Sequence, residues 1–164
     1  MLNEWKSRDG IYFPDGGAQW SAYRQQWEQE AATDHVLSAI ARPGGGREDY
    51  ATLTGKMGEI WQRFPHGRHL GTILEVGCGY GRIPLYLSRD RQLTCDQYLG
   101  VDIAEGMLRH FQRYRTMFNI FSSAEHTLIC GSVESLPIPE NRVYLCLSSA
   151  VFLHMGKRFV RQTF

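Results

Sequence analysis

Apolar positions follow two different rhythms along this chain. In the N-terminal third, Trp20, Tyr23, Trp27, Ala31, Val36, Leu37 and Ile40 recur mostly at three- and four-residue steps, which predicts a helix over 18–41 with one apolar face. Arg42-Pro43-Gly44-Gly45-Gly46 ends it with strong breakers. Tyr50, Leu53, Met57, Ile60 and Trp61 predict a second helix over 48–64, stopped by Pro65. Beyond residue 71 the rhythm changes to short, unbroken apolar runs: Ile73-Leu74 with Val76, then 98–103 (YLGVDI), 127–131 (TLICG) and 143–147 (VYLCL). Such runs suit strands buried on both faces of a parallel sheet, and a helical stretch over 105–118 separates the second from the third. The pattern predicts an α/β fold.

The turn after the first run carries the chemistry. Gly77, Gly79 and Gly81 allow a sharp bend whose backbone can approach a ligand without Cβ interference. Pro84 sits just inside the helix that follows, where its missing N–H is no loss. A turn of this kind presents unpaired N–H groups and a helix N-terminus above the sheet, a natural seat for a nucleotide-like cofactor. The dinucleotide fingerprint requires G-x-G-x-x-G, but here the spacing is G-x-G-x-G and Arg82 stands where the last glycine belongs, which argues against NAD. Asp102 ends the second run about twenty residues further on, where a carboxylate can accept hydrogen bonds from two vicinal ribose hydroxyls. Aspartate is also a good N-cap for a helix starting near Ala104, and the two roles are compatible. Ile103 would offer an apolar face to the base.

Together, E-x-G-x-G-x-G from Glu75 to Gly81 resembles the first motif of the class I S-adenosylmethionine (SAM)-dependent methyltransferases, with Cys78 matching the frequent G-C-G variant. The resemblance continues over 71–158 in family order. Ser132 stands where the family pattern G-D-A-x-x-L-P has its aspartate, and 143–155 is similar to F-D-L-V-x-S-x-x-V-L-x-H with Tyr144 at the aspartate position. It implies a Rossmann-like three-layer parallel sheet with N-terminal helices, strands 3-2-1-4 being present and the C-terminal strands of a 3-2-1-4-5-7-6 sheet missing. It divides the chain into an N-terminal helical cap region, 1–70, and a partial SAM-binding core, 71–164, within one structural domain. The implied cofactor is SAM. Glu75 would orient its ammonium, Gly77, Cys78, Gly79 and Gly81 its methionine end and sugar edge, and Arg82 its carboxylate. Asp102 would take the ribose, Ile103 the adenine face, and Ser132 with Val133 the adenine edge, with Glu134 as a substitute acceptor or a plain loop carboxylate. His154, or a serine before it (Ser148, Ser149), is the candidate acceptor of a proton from the substrate, although a histidine near a strand end more often serves as a structural hydrogen-bonder. The implied function is methyl transfer to a small-molecule acceptor; the alternative is a catalytically inactive SAM-binding module that acts with a partner. Strand four would be an apolar edge, so self-association or a partner covering it is expected.

Composition narrows the surroundings. The chain has 164 residues, enough for one domain with a real core, and a net charge of +1 with 21% charged residues argues against a nucleic-acid-binding field. No apolar run reaches a membrane span, and MLNEWKSRDG holds no signal-peptide apolar region. The four cysteines form no C-x-x-C pair; Cys78, Cys130 and Cys146 read as packing residues and the setting as cytoplasmic. His66 and His69 have no acidic or thiol neighbour in sequence to complete a metal site, so no metal is expected.

Overall fold

The computed structural model describes residues 5–13, 21–33, 62–64, 66–133, 136, 138, 142–149 and 151. Its elements are β1 (Lys6–Arg8), β2 (Ile11–Phe13), α1 (Ser21–Ala31), β3 (His69–Val76), α2 (Arg82–Arg89), β4 (Thr94–Asp102), α3 (Glu105–Met117), β5 (Glu125–Cys130) and β6 (Leu145–Ser148). The sheet order is β1-β2-β5-β4-β3-β6. The four apolar runs are therefore parallel neighbours in the order β5-β4-β3-β6, the 3-2-1-4 order that the resemblance implies. The helix between β3 and β4, and the helix between β4 and β5, supply the crossovers that parallel pairing requires.

The sheet separates two apolar clusters. On one face Ile73, Tyr98 and Leu128 pack with Leu85 and Leu87 of α2 and with Leu108 and Phe111 of α3. On the other, Leu74, Val76, Leu99, Val101 and Ile129 form a second cluster. Residues of α1, Trp27 and Ala31, join the first cluster, so all three described helices share that face.

The N-terminal region departs from the helical expectation. Arg8-Asp9-Gly10-Ile11 is a two-residue hairpin turn, with φ of 52° at Asp9 and 76° at Gly10, and β2 then adds to the sheet parallel to β5 through Ile11–Leu128 and Tyr12–Ile129. Paired positive φ angles match the right-handed twist of the strands, which is why Asp-Gly favours such turns. The first helix is also shorter than its apolar rhythm predicts. It stops at Ala31, where the Ala32 N–H is shared between the Glu28 and Gln29 carbonyls, the Thr33 N–H reaches back only three residues to Glu30, and the Thr33 hydroxyl donates to the same Glu30 carbonyl at 2.7 Å. Residues 62–64 form a turn rather than the end of a helix. Positions 34–61 lie outside the described residues.

At the other end of the order, β6 is outermost among the described residues. Alternation sends Leu147 into the helix-side core and leaves Cys146 exposed, correcting its reading as a buried hydrophobe. Cys130 is buried as expected.

Candidate cofactor site

The carboxyl ends of β3, β4, β5 and β6 open into one cleft, the location where parallel sheets hold their ligands. Its floor is the glycine turn. Gly77 and Cys78 both donate their N–H to the Val101 carbonyl, at 2.7 and 3.0 Å, which ties the turn to β4. The N–H of Gly79 donates to Asp102 Oδ2 at 2.8 Å. These three N–H groups are thus engaged, not left open as the bare turn motif suggests. The three glycines adopt positive φ and differ in what surrounds them. A Cβ on Gly77 would lie 2.0 Å from Val151 Cγ2, and one on Gly81 would lie 2.5 Å from Phe111 Cδ2, whereas nothing stands within 4 Å of one on Gly79. Gly79 is the point at which the backbone can approach a ligand. Gly81 does not line the cleft; it caps α2 and lets the Phe111 ring close against the turn.

The Asp102 carboxylate ties two segments together, while the N-cap position of α3 itself falls to Ala104. Oδ2 takes the Gly79 N–H and Oδ1 takes the Ala104 N–H at 2.9 Å, so the carboxylate bridges the turn to the start of α3. Each oxygen keeps acceptor capacity, as a vicinal diol requires. Burial pushes its pKa up to about 6, opposed by the two N–H bonds and reinforced by the nearby Glu28 carboxylate. Ile103 lines the cleft beside it, and Ser132 and Val133 line the side beneath β5.

Glu75 has a different environment. It is 1% exposed, borders the cleft and accepts a hydrogen bond from the Tyr98 phenol. Burial pushes its pKa up to about 8, against the lowering effects of the Tyr98 bond and the Arg82 charge. Arg82 opens α2 at the rim of the cleft, its guanidinium 5.7 Å from the centre of the Tyr80 ring. The Cys78 thiol is buried and held well above its ordinary pKa by desolvation, which suits packing and not nucleophilic attack. His154 and Glu134 lie outside the described residues. Ser149 lines the cleft, and Ser148 ends β6 with its hydroxyl buried. His69, outside the cleft, engages Thr94 and Asp96 at 3.0 Å each.

Most of the described residues that the methyltransferase motifs single out, Gly81 excepted, therefore line one cleft. A family model described as a methyltransferase domain matches residues 73–164. The chain belongs to this methyltransferase-domain family. Malonyl-[acyl-carrier protein] O-methyltransferase of Serratia marcescens is 29% identical over 116 residues, which make up 71% of this chain and 41% of that protein. The chain thus spans less than half the length of that relative. Phosphoethanolamine N-methyltransferase 1 of Haemonchus contortus, solved with phosphoethanolamine and S-adenosylhomocysteine, superposes with a TM-score of 0.57 at 16% identity, covering 88% of this chain and 27% of that one. Geranyl diphosphate C-methyltransferase of Streptomyces coelicolor A3(2) gives 0.58 at 12% identity, covering 87% and 58%. These structural likenesses show a shared fold.

Within this methyltransferase domain, α1 adds an aromatic residue to the cleft and a carboxylate that supports it from outside. Trp27 lines the cleft as well as packing on the core. Its neighbour Glu28 accepts the N–H groups of Glu105 and Gly106 at 2.7 and 2.9 Å and so caps α3 from another helix. Gly106 makes this possible, because a Cβ there would lie 2.8 Å from both Ala31 Cβ and Glu28 Oε2. The signal in the sequence is the weak N-cap: Ala104 has no side chain to satisfy the first turn, so a partner must come from elsewhere.

Proposed function

We propose that the protein is a SAM-dependent methyltransferase acting on a small-molecule acceptor. The carrying observation is Asp102, buried at the end of β4 and held by two backbone N–H groups beside an open glycine, with acceptor capacity left for a ribose diol. Such a carboxylate needs no rearrangement to receive two hydroxyls. Ile103 and Val133 supply apolar contact for the adenine, and Ser132 accepts from its amino group without adding charge. Glu75 and Arg82 attend the amino-acid end, one facing the ammonium and the other the carboxylate. SAM supplies an electrophilic methyl group on a sulfonium. The protein's main contribution is alignment, since holding two reactants in line replaces most of the entropy of a bimolecular encounter. His154 is the proposed proton acceptor where the substrate must be deprotonated. Four free cysteines support a reducing, cytoplasmic setting.

The test is transfer of a labelled methyl group from SAM, catalysed by the 164-residue chain, into a mixture of small metabolites. Label in a low-molecular-weight product supports the proposal. Absence of any transfer by a chain that binds S-adenosylhomocysteine overturns it in favour of a binding module.

A further inference from the structure

We propose that Glu75 and Tyr98 form a buried proton-holding pair beneath the glycine turn, from which a cationic methyl donor in the cleft expels the proton more completely than the neutral-sulfur product does. This deepens the cofactor reading above and rests on it. Among the described residues Glu75 is the one acid in the fully buried class, and Tyr98 beside it is 0% exposed. The pairing register explains why so few donors reach the carboxyl group. Across from Glu75 stand Gly100 on β4, which has no side chain, and Leu147 on β6, which has no polar one. The Tyr98 phenol is the hydrogen-bond donor described for Glu75, whereas the more solvated Asp102 receives two backbone N–H groups. A buried carboxylate with one neutral donor is stable as the charged species only when a cation stands near it.

The charged and titratable groups around Glu75 are few. Tyr98 and Asp102 approach from β4, Cys78 from the turn and Arg82 from the start of α2; of these only Arg82 is cationic. Behind Tyr98 lies His126 of β5, with ring centres 5.6 Å apart, and burial lowers its pKa, so it adds no positive charge there. Desolvation raises Glu75 to about 8, so at neutral pH the cleft without a ligand retains the proton. When positive charge enters, the Glu75 O–H bond breaks, the proton passes to solvent, and the carboxylate keeps the Tyr98 phenol as its donor. Once the methyl group has left, the sulfur is uncharged, the ligand's ammonium alone still opposes the proton, and Glu75 takes it back from solvent in a larger share of molecules. Tyr98 is therefore a positioning residue that favours the charged form, and the pair holds the donor more tightly than the spent product.

The experiment is calorimetric titration of the whole chain with SAM and, separately, S-adenosylhomocysteine, in two buffers of different ionisation enthalpy between about pH 6 and pH 9. Wild-type protein is expected to release more protons on binding SAM than Glu75→Gln does near neutral pH. The amino group of the ligand titrates in both proteins and cancels in that difference. Tyr98→Phe is expected to move the release to higher pH and to weaken SAM several-fold at neutral pH, with recovery at alkaline pH and little change for S-adenosylhomocysteine. A merely structural role for Tyr98 would weaken both ligands alike at every pH. Equal proton release by wild type and a folded Glu75→Gln protein, with both ligands bound, overturns the pair. Failure of a folded wild-type chain to bind either ligand overturns the cofactor reading itself, and the pair's role with it.

Discussion

The ends of β3 and β4 each deliver a carboxylate to the same cleft and hold it in contrasting ways. At the end of β4, Asp102 is fixed by the N–H groups of Gly79 and Ala104, and burial raises it only to about 6. On β3, Glu75 is flanked by Gly100 and Leu147, meets one phenol, and rises to about 8. Both groups are desolvated; the deeper burial of Glu75 and the additional donors to Asp102 together decide which one stays charged at neutral pH. On the proposed reading, the β4 end accepts neutral hydroxyls and the β3 end responds to charge.

The contrast can be broken most strongly through pH. The folded pKa of Glu75, about 8, lies above its ordinary 4.5, so the folded state binds more protons across that interval and stability falls as pH rises through it. The loss should amount to a few kcal/mol by the usual 1.36 kcal/mol per unit. Thermal melts of Glu75→Gln should be nearly flat from about pH 6.5 to pH 8, a window above the Asp102 transition. A wild-type melt equally flat in that window would refute the assignment. Next in size is Asp102→Ala, which removes a charged acceptor from two backbone donors and from the ligand. It should weaken S-adenosylhomocysteine by about 100-fold, near 3 kcal/mol. In the wild type, affinity for the same ligand should decline as pH drops below about 6, where Asp102 takes up a proton.

The glycines sharpen the same comparison. Gly81→Ala brings a Cβ to 2.5 Å from the Phe111 ring at a positive φ, and should lower stability by about 2–3 kcal/mol in denaturant unfolding. Gly79→Ala meets no neighbour, so it should cost only the backbone strain, about 1 kcal/mol, while obstructing the ligand. Equal destabilisation by both would show that the turn is packed differently. The smallest effect is expected from Glu28→Gln, which weakens the cap on α3 by about 1 kcal/mol in the same assay.

Much of this arrangement was legible in the chain because local rules and tertiary demands agree there. The apolar runs at β3, β4 and β5 must be buried on both faces, and the glycine spacing admits few turns, so the strands and the placing of Glu75, Gly79 and Asp102 at their ends followed from short stretches, while the strand order came from the family resemblance. The N-terminal hairpin was missed although Asp9-Gly10 is a turn signal, because three-residue strands carry too little periodicity to outweigh the longer helical rhythm beside them. The early end of α1 is a local hydrogen-bonding outcome at Thr33 that apolar spacing does not encode. Glu28 and Tyr98 were out of reach for a different reason. Their partners lie 77 and 23 residues away, and no spacing rule links a helix carboxylate to another helix's first turn.

The most direct measurement is the calorimetric titration of S-adenosylhomocysteine into the wild-type chain and into Asp102→Ala, with thermal melts showing that both are folded. Saturable binding by the wild type, weakened about 100-fold in the variant, is the expected result. Unchanged affinity in Asp102→Ala, or no binding by a folded wild-type chain, would contradict the assignment of this cleft to the cofactor.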